Sequence, residues 1–262
     1  MTQSYIGLLI LTVLVSSITG MEMLVSSSDA SLPGNLDETF REISSLSGAE
    51  WGLGVVEFKT GEEKTFETNS QFPIEIPHLP LTAFAIVLSN EGIIPLDDLI
   101  ARNEFFWERL HWAQQGSHGM CQAVIWSMGE GRINEWLDSN GYNGTVINGV
   151  QQNYPECPIV DTNYISVNDA MAFLKIVYGN IDQSSVRNIG SNPPLSDFNR
   201  ATLGLDNVIY AWIDITENSK LMFLIIDQPV DSDLGIVVLA KNIDDPADVD
   251  QGFRTLYEAL TD

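Results

Sequence analysis

Asn69-Ser-Gln-Phe-Pro-Ile-Glu-Ile-Pro-His-Leu-Pro-Leu-Thr-Ala-Phe-Ala-Ile-Val-Leu-Ser-Asn-Glu-Gly92 decides how the rest of the chain is read. Polar turn residues lead through Phe72-Pro73 into an apolar run. Pro77 suits a first helical turn, which has no use for its missing N–H, and Pro80 still sits near that turn. From Leu81 to Leu88 the run is apolar nearly all round, the pattern of a helix buried inside a domain. Gly92 is a fitting stop just past the helix end.

Outward from this stretch, the composition is that of a globular chain. It has 262 residues, 44% of them hydrophobic and 18% charged, which suits one large domain or two interleaved ones. Lys and Arg number 12 against 36 Asp and Glu, a formal net charge of −24. Such a field repels nucleic acid and anionic membrane surfaces alike. It fits solubility or salt adaptation, and it also fits an acidic face for a cationic partner. Residues 1–21 carry no charge and Tyr5 to Val15 is nearly continuous apolar sequence, so residues 1–25 read as a signal peptide or membrane anchor. Anchoring would run through residues 5–21, with residues 26–34 as a linker. An extracellular or cell-surface location follows. Cys121 and Cys157 would then sit where a disulfide is allowed, although sequence alone does not bring them together. No Cys/His cluster suggests zinc, and neither a metal nor a cofactor is expected.

The elements follow in order. Asn35 caps an amphipathic helix with early acids. Trp51 to Phe58 and Lys64 to Asn69 form a hairpin across a Thr60-Gly61 turn. Phe105 to Trp112 is an aromatic, amphipathic helix. Ser117 to Gly129 and the segment from Glu130 to Gly141 are two further helices. Ser166 with Asp169 has the form of a capping box, opening a helix that ends near Gly179. Near the C-terminus, Asn207 to Ile215, Lys220 to Asp227 and Leu234 to Ala240 are apolar strands separated by turns, with Lys220 read in a turn. Asp250 to Leu260 closes the chain as a helix.

This order resembles the penicillin-recognising serine hydrolases, the class A β-lactamases and DD-peptidases, from about Asn35 to the C-terminus. The resemblance implies an α+β fold. An antiparallel sheet comes from both chain ends and is flanked by helices, with an all-helical subdomain from about Ile94 to Gly179. In that family Phe-Pro-x-x-Ser-x-x-Lys opens the buried helix. Here Phe72-Pro73 is kept, but Ile76 stands for the Ser and Leu79 for the Lys. The Ser-Asp-Asn triplet reads Ser117-His118-Gly119. The Lys-Thr-Gly motif is missing around Trp212, on the first of the three C-terminal strands. The deacylating Glu does not carry over either. Glu156 is the only acid between Asn143 and Val160, and it lacks the Glu-x-x-x-Asn spacing.

The chemistry needs what these positions lack. A serine hydroxyl does not ionise alone, so a nearby Lys must take its proton, and backbone N–H groups must hold the oxyanion. Ile76 cannot attack and Leu79 cannot carry a proton. His78, Ser117 and His118 remain as candidate pocket residues, and a His78–His118 or Ser117–His118 arrangement would suit acid/base work or metal binding. Adjacent helical residues do not face each other, which weighs against the second. The expectation is a pseudoenzyme that binds a peptide, a cell-envelope component or a protein without hydrolysing it. The alternatives are a serine hydrolase with non-standard residues and a structural envelope protein with a filled cleft.

Overall fold

The computed structural model describes residues 32–46, 48–67, 70–97, 99–101, 104–114, 117–129, 131–149, 162–190, 208–216, 218–227 and 233–261. The leader expected at residues 1–25 and the Cys157 half of the cysteine pair lie outside the described residues; Cys121 is a buried free thiol. Among the described residues no helix is long and apolar enough to cross a membrane.

The sheet draws on both chain ends. Helix α1 (Leu36–Ser44) precedes strand β1 (Glu50–Glu57), which forms a hairpin with β2 (Glu63–Phe66). The other three strands are β7 (Val208–Ile215), β8 (Ser219–Ile226) and β9 (Leu234–Lys241), and helix α8 (Pro246–Thr261) follows. The order is β2-β1-β9-β8-β7, antiparallel throughout. Strand β8 is buried along its whole length because both faces are covered. Leu221, Phe223 and Ile225 point to one core, and Met222, Leu224 and Ile226 to the other, as a period of two requires. The second core holds α1 and α8 against the sheet through Phe40, Ile43, Phe253 and Leu256.

The first core belongs to the middle of the chain. It contains α2 (His78–Asn90), α3 (Phe106–Gln114), α4 (His118–Met128), α5 (Arg132–Ser139) and α6 (Val167–Tyr178), with α7 (Ser184–Gly190) after them. Helix α2 is buried at every position from His78 to Ile86, as its unbroken apolar run demands. It starts one residue after Pro77, and Gly92 follows its end with φ +69°. Helix α6 lies directly on β1. A Cβ at Gly52 would come within 2.6 Å of a Val167 methyl and 2.7 Å of the Phe72 ring, so the approach depends on glycine there.

The segment from 94 to 179 is mainly helical rather than all-helical. Strands β4 (Leu99–Ala101) and β5 (Glu104–Phe105) pair locally, and β6 (Asn163–Ser166) pairs with β3 (Gln71–Ile74). Each is too short for a periodic signal, and β6 is fixed by a partner far away in the chain. Lys220 is likewise not in a turn. It lies in β8, 4% exposed, where its ammonium pairs with Asp250 of α8.

Strand β3 crosses the end of the large sheet and is tied to three of its strands in turn. Lys241 Nζ of β9 donates to the Gln71 carbonyl at 3.1 Å. The Ser219 hydroxyl of β8 donates to the Pro73 carbonyl at 3.3 Å. The Glu75 N–H, just past β3, donates to the Asp214 carboxylate of β7 at 2.7 Å. A strand rises about 3.3 Å per residue, so the Lys241 and Asp214 ends stand more than ~10 Å apart.

Candidate active site

The Asp214 end of β3 leads into α2, where Ile76, His78 and Leu79 lie at or just before the first turn. Ile76 lies two residues ahead of α2 rather than on it, and is 4% exposed. Leu79, in the first turn, is fully buried. Both belong to one contiguous core with Trp212 of β7 and Cys121 of α4.

Ser117 caps α4, its hydroxyl oxygen accepting the Met120 N–H at 3.4 Å. Gly119 is exposed. His118 opens α4, and its side chain lies outside the described residues. The strand around Trp212 forms a wall against α2: the Trp212 ring stacks on His78 with centroids 4.8 Å apart at 26°. The Trp212 indole N–H is buried without a hydrogen-bond partner among the described residues.

His78 is not a pocket residue. It is fully buried, and both ring nitrogens are engaged. Nδ1 lies 3.1 Å from the Tyr210 hydroxyl and Nε2 3.3 Å from the Thr82 hydroxyl. In a neutral ring one nitrogen donates and the other accepts, so the two hydroxyls complete it. Burial drives its pKa down to about 3; a backbone hydrogen bond at Leu110 partly offsets this, and His111 adds to it. The ring is therefore neutral at any ordinary pH, which removes it as a proton donor. Among the described residues no group of three or more His, Cys, Asp or Glu is arranged to hold a metal.

Two residues that were not among the candidate site residues complete this region. Asp214, 5% exposed, accepts the Glu75 N–H at 2.7 Å, with the Ile76 N–H close by. Burial pushes its pKa up to about 7; the two N–H donors oppose the rise and the Glu75 carboxylate adds to it. Cys121, at the start of α4, is fully buried, and burial together with the nearby Asp214 carboxylate pushes its thiol pKa well up. A thiol held protonated is inert as a nucleophile. The available signal for Asp214 was a lone carboxylate inside the apolar strand Tyr210-Ala-Trp-Ile-Asp-Ile215.

This sheet order, with a buried helix entering beside its β7 edge, has counterparts among solved structures. A β-lactamase from Chitinophaga pinensis DSM 2588 aligns with a TM-score of 0.70 and 16% identity, over 87% of this chain and 100% of its own. The fold is that of a class A β-lactamase. An ancestral class A β-lactamase (GNCA) aligns with a TM-score of 0.68 and 17% identity, over 86% of this chain and 99% of its own. A β-lactamase from Sphaerobacter thermophilus DSM 20745 aligns with a TM-score of 0.64 and 12% identity, over 86% and 95%. No family model and no curated protein matches the sequence. Identities this low carry the β-lactamase-like fold and nothing about activity. Ile76, Leu79 and Trp212 are all buried in one core.

Proposed function

We propose that this chain is a β-lactamase-like pseudoenzyme, exported or membrane-anchored through its uncharged N-terminal stretch. In this reading it binds a peptide, a cell-envelope component or a protein partner without hydrolysing it. One observation carries the reading: the Asp214 carboxylate accepts the Glu75 N–H at 2.7 Å, next to Ile76, the isoleucine that the family resemblance sets at the nucleophile position. Acyl transfer requires backbone donors that are free to meet a developing oxyanion. Here a carboxylate already holds a backbone N–H beside that position, and it repels such a charge whenever it is ionised. Ile76 supplies no nucleophile and Leu79 no base, a loss on the order of 10⁶ in rate for such a pair.

A serine hydrolase with non-standard residues is less well supported. His78 is neutral and saturated with hydrogen bonds, and Cys121 is buried and protonated. The burial of Ile76, Leu79 and Trp212 favours the second reading, a structural protein with a filled cleft. Both readings exclude hydrolysis. Intact-mass spectrometry after incubation with a penicillin and with a fluorophosphonate tests this. We expect unmodified protein in both cases; a stoichiometric adduct with either would overturn the pseudoenzyme reading.

A further inference from the structure

The Lys241 end of β3 opens onto a cavity of about 730 Å³ between β3, the loop 141–144, the first turn of α6 and the end of β9. None of its lining residues belongs to the Ile76 region, so a ligand here is independent of any chemistry there. The volume falls within the roughly 300–1,000 Å³ typical of small-molecule sites.

The charged groups of this cavity are already compensated. Lys241 Nζ pairs with Glu50 at 3.0 Å and donates to the Gln71 carbonyl at 3.1 Å. Asp169, 6% exposed, accepts the Thr145 hydroxyl at 2.8 Å. The groups left over are neutral. The side-chain amides of Asn143 and Asn168 and the hydroxyl of Tyr164 have no protein hydrogen-bond partner among the described residues. Each amide offers two donors and an acceptor, and the phenol one donor and an acceptor. The Tyr164 side chain is also partly open to solvent, its residue 36% exposed.

The geometry points to a binding site for a neutral saccharide. Sugar hydroxyls both donate and accept, which matches free amides better than it matches charged groups. An aromatic ring at the rim can stack on the apolar face of a sugar. An anionic ligand would meet no uncompensated cation here and would face a protein of formal net charge −24. A peptide added as a strand needs an open edge, whereas β6 is already paired with β3 on one side and bridged at Tyr164 to Val146 on the other.

The test uses the isotope-labelled chain, titrated with cellobiose, maltose and N,N′-diacetylchitobiose, and with glucuronate and tri-alanine as contrasts, and followed by backbone amide shifts. We expect at least one neutral disaccharide to shift the amides of Gln71, Gly144 and Tyr164. The double change Asn143→Ala, Asn168→Ala should weaken that binding at least about tenfold, the effect of losing one or two net hydrogen bonds, with the melting temperature unchanged. Three outcomes would overturn the assignment: no neutral sugar shifting these amides at tens of millimolar, shifts with glucuronate or tri-alanine alone, or undiminished binding by the double variant.

Discussion

The carboxylate of Asp214 on β7 accepts the backbone N–H of Glu75 at 2.7 Å, a contact between residues 139 positions apart. It fixes the entry of α2 against the edge of the sheet and places a titratable group in the core. In the folded protein Asp214 has a pKa of about 7, against about 3.9 when unfolded. Between those values the folded state holds the extra proton, so this group's contribution to stability is full below about pH 4 and lost as the pH rises to about 7.

His78 works in the opposite direction. Its folded pKa is about 3 and its unfolded pKa about 6.5, so the unfolded state holds the extra proton between them. Its contribution is present above about pH 6.5 and lost as the pH falls. From about pH 4 to 6.5 the two slopes cancel. Asp214→Asn keeps an acceptor for the Glu75 N–H and removes one slope. Its stability relative to the wild type should therefore rise with pH by about 1.4 kcal/mol per unit at most between pH 4 and 7. Urea unfolding at several pH values measures this, and a constant difference across that range would show that Asp214 does not titrate as described.

His78→Phe keeps most of the ring volume and leaves the Tyr210 and Thr82 hydroxyls without the imidazole. The two hydroxyls lie near each other, so the cost should be moderate, about 1–3 kcal/mol. Tyr210→Phe in the same background should add little, because the polar network is already broken. A double-mutant cycle by urea unfolding gives the coupling; strictly additive losses would count against a shared network.

Helix α2 could be read from the sequence because burial all round needs no partner to be specified, but its apolar run starts at Leu81 and left His78 as a pocket candidate rather than a buried residue. Strands β7, β8 and β9 were legible as apolar runs for the same reason. Strands β3 and β6 were not. Each has four residues, Pro73 interrupts the strand propensity of the first, and the pairing joins Gln71 to Ser166. The role of Asp214 was hidden for a related reason: a carboxylate in an apolar strand signals a buried partner without naming it. Gly52 reads as an ordinary weak point in a strand, and only the Val167 methyl and Phe72 ring show why a side chain is excluded.

Gly52→Ala should accordingly destabilise the fold. The added methyl would meet the Val167 methyl at 2.6 Å and the Phe72 ring at 2.7 Å, and both are fully buried. Overpacking of this kind costs about 1–3 kcal/mol. Trimming Val167 to Ala in the same chain should recover part of the loss, read as the denaturant midpoint. An unchanged midpoint for the single variant would mean that α6 shifts freely on β1.

Restoring the two missing residues should not restore an enzyme. Ile76→Ser removes a buried side chain and places a hydroxyl beside Asp214, at a cost of about 2–4 kcal/mol. Leu79→Lys puts an ammonium at a fully buried position, where it loses its proton or remains an unpaired charge. Even if the double variant folds, Asp214 still lies beside residues 75 and 76, accepting the Glu75 N–H, and the second and third motifs and the deacylating Glu are still missing. A chromogenic β-lactam should therefore show no turnover above the wild-type background, and acylation should be slow at most. Adding Asp214→Ala removes the carboxylate from beside the Glu75 N–H. If the carboxylate is the block, intact-mass spectrometry should find more penicilloyl adduct on the triple variant than on the double, with circular dichroism confirming that both are folded. Turnover by the double variant, or equal acylation of the two, would show that Asp214 does not silence the site.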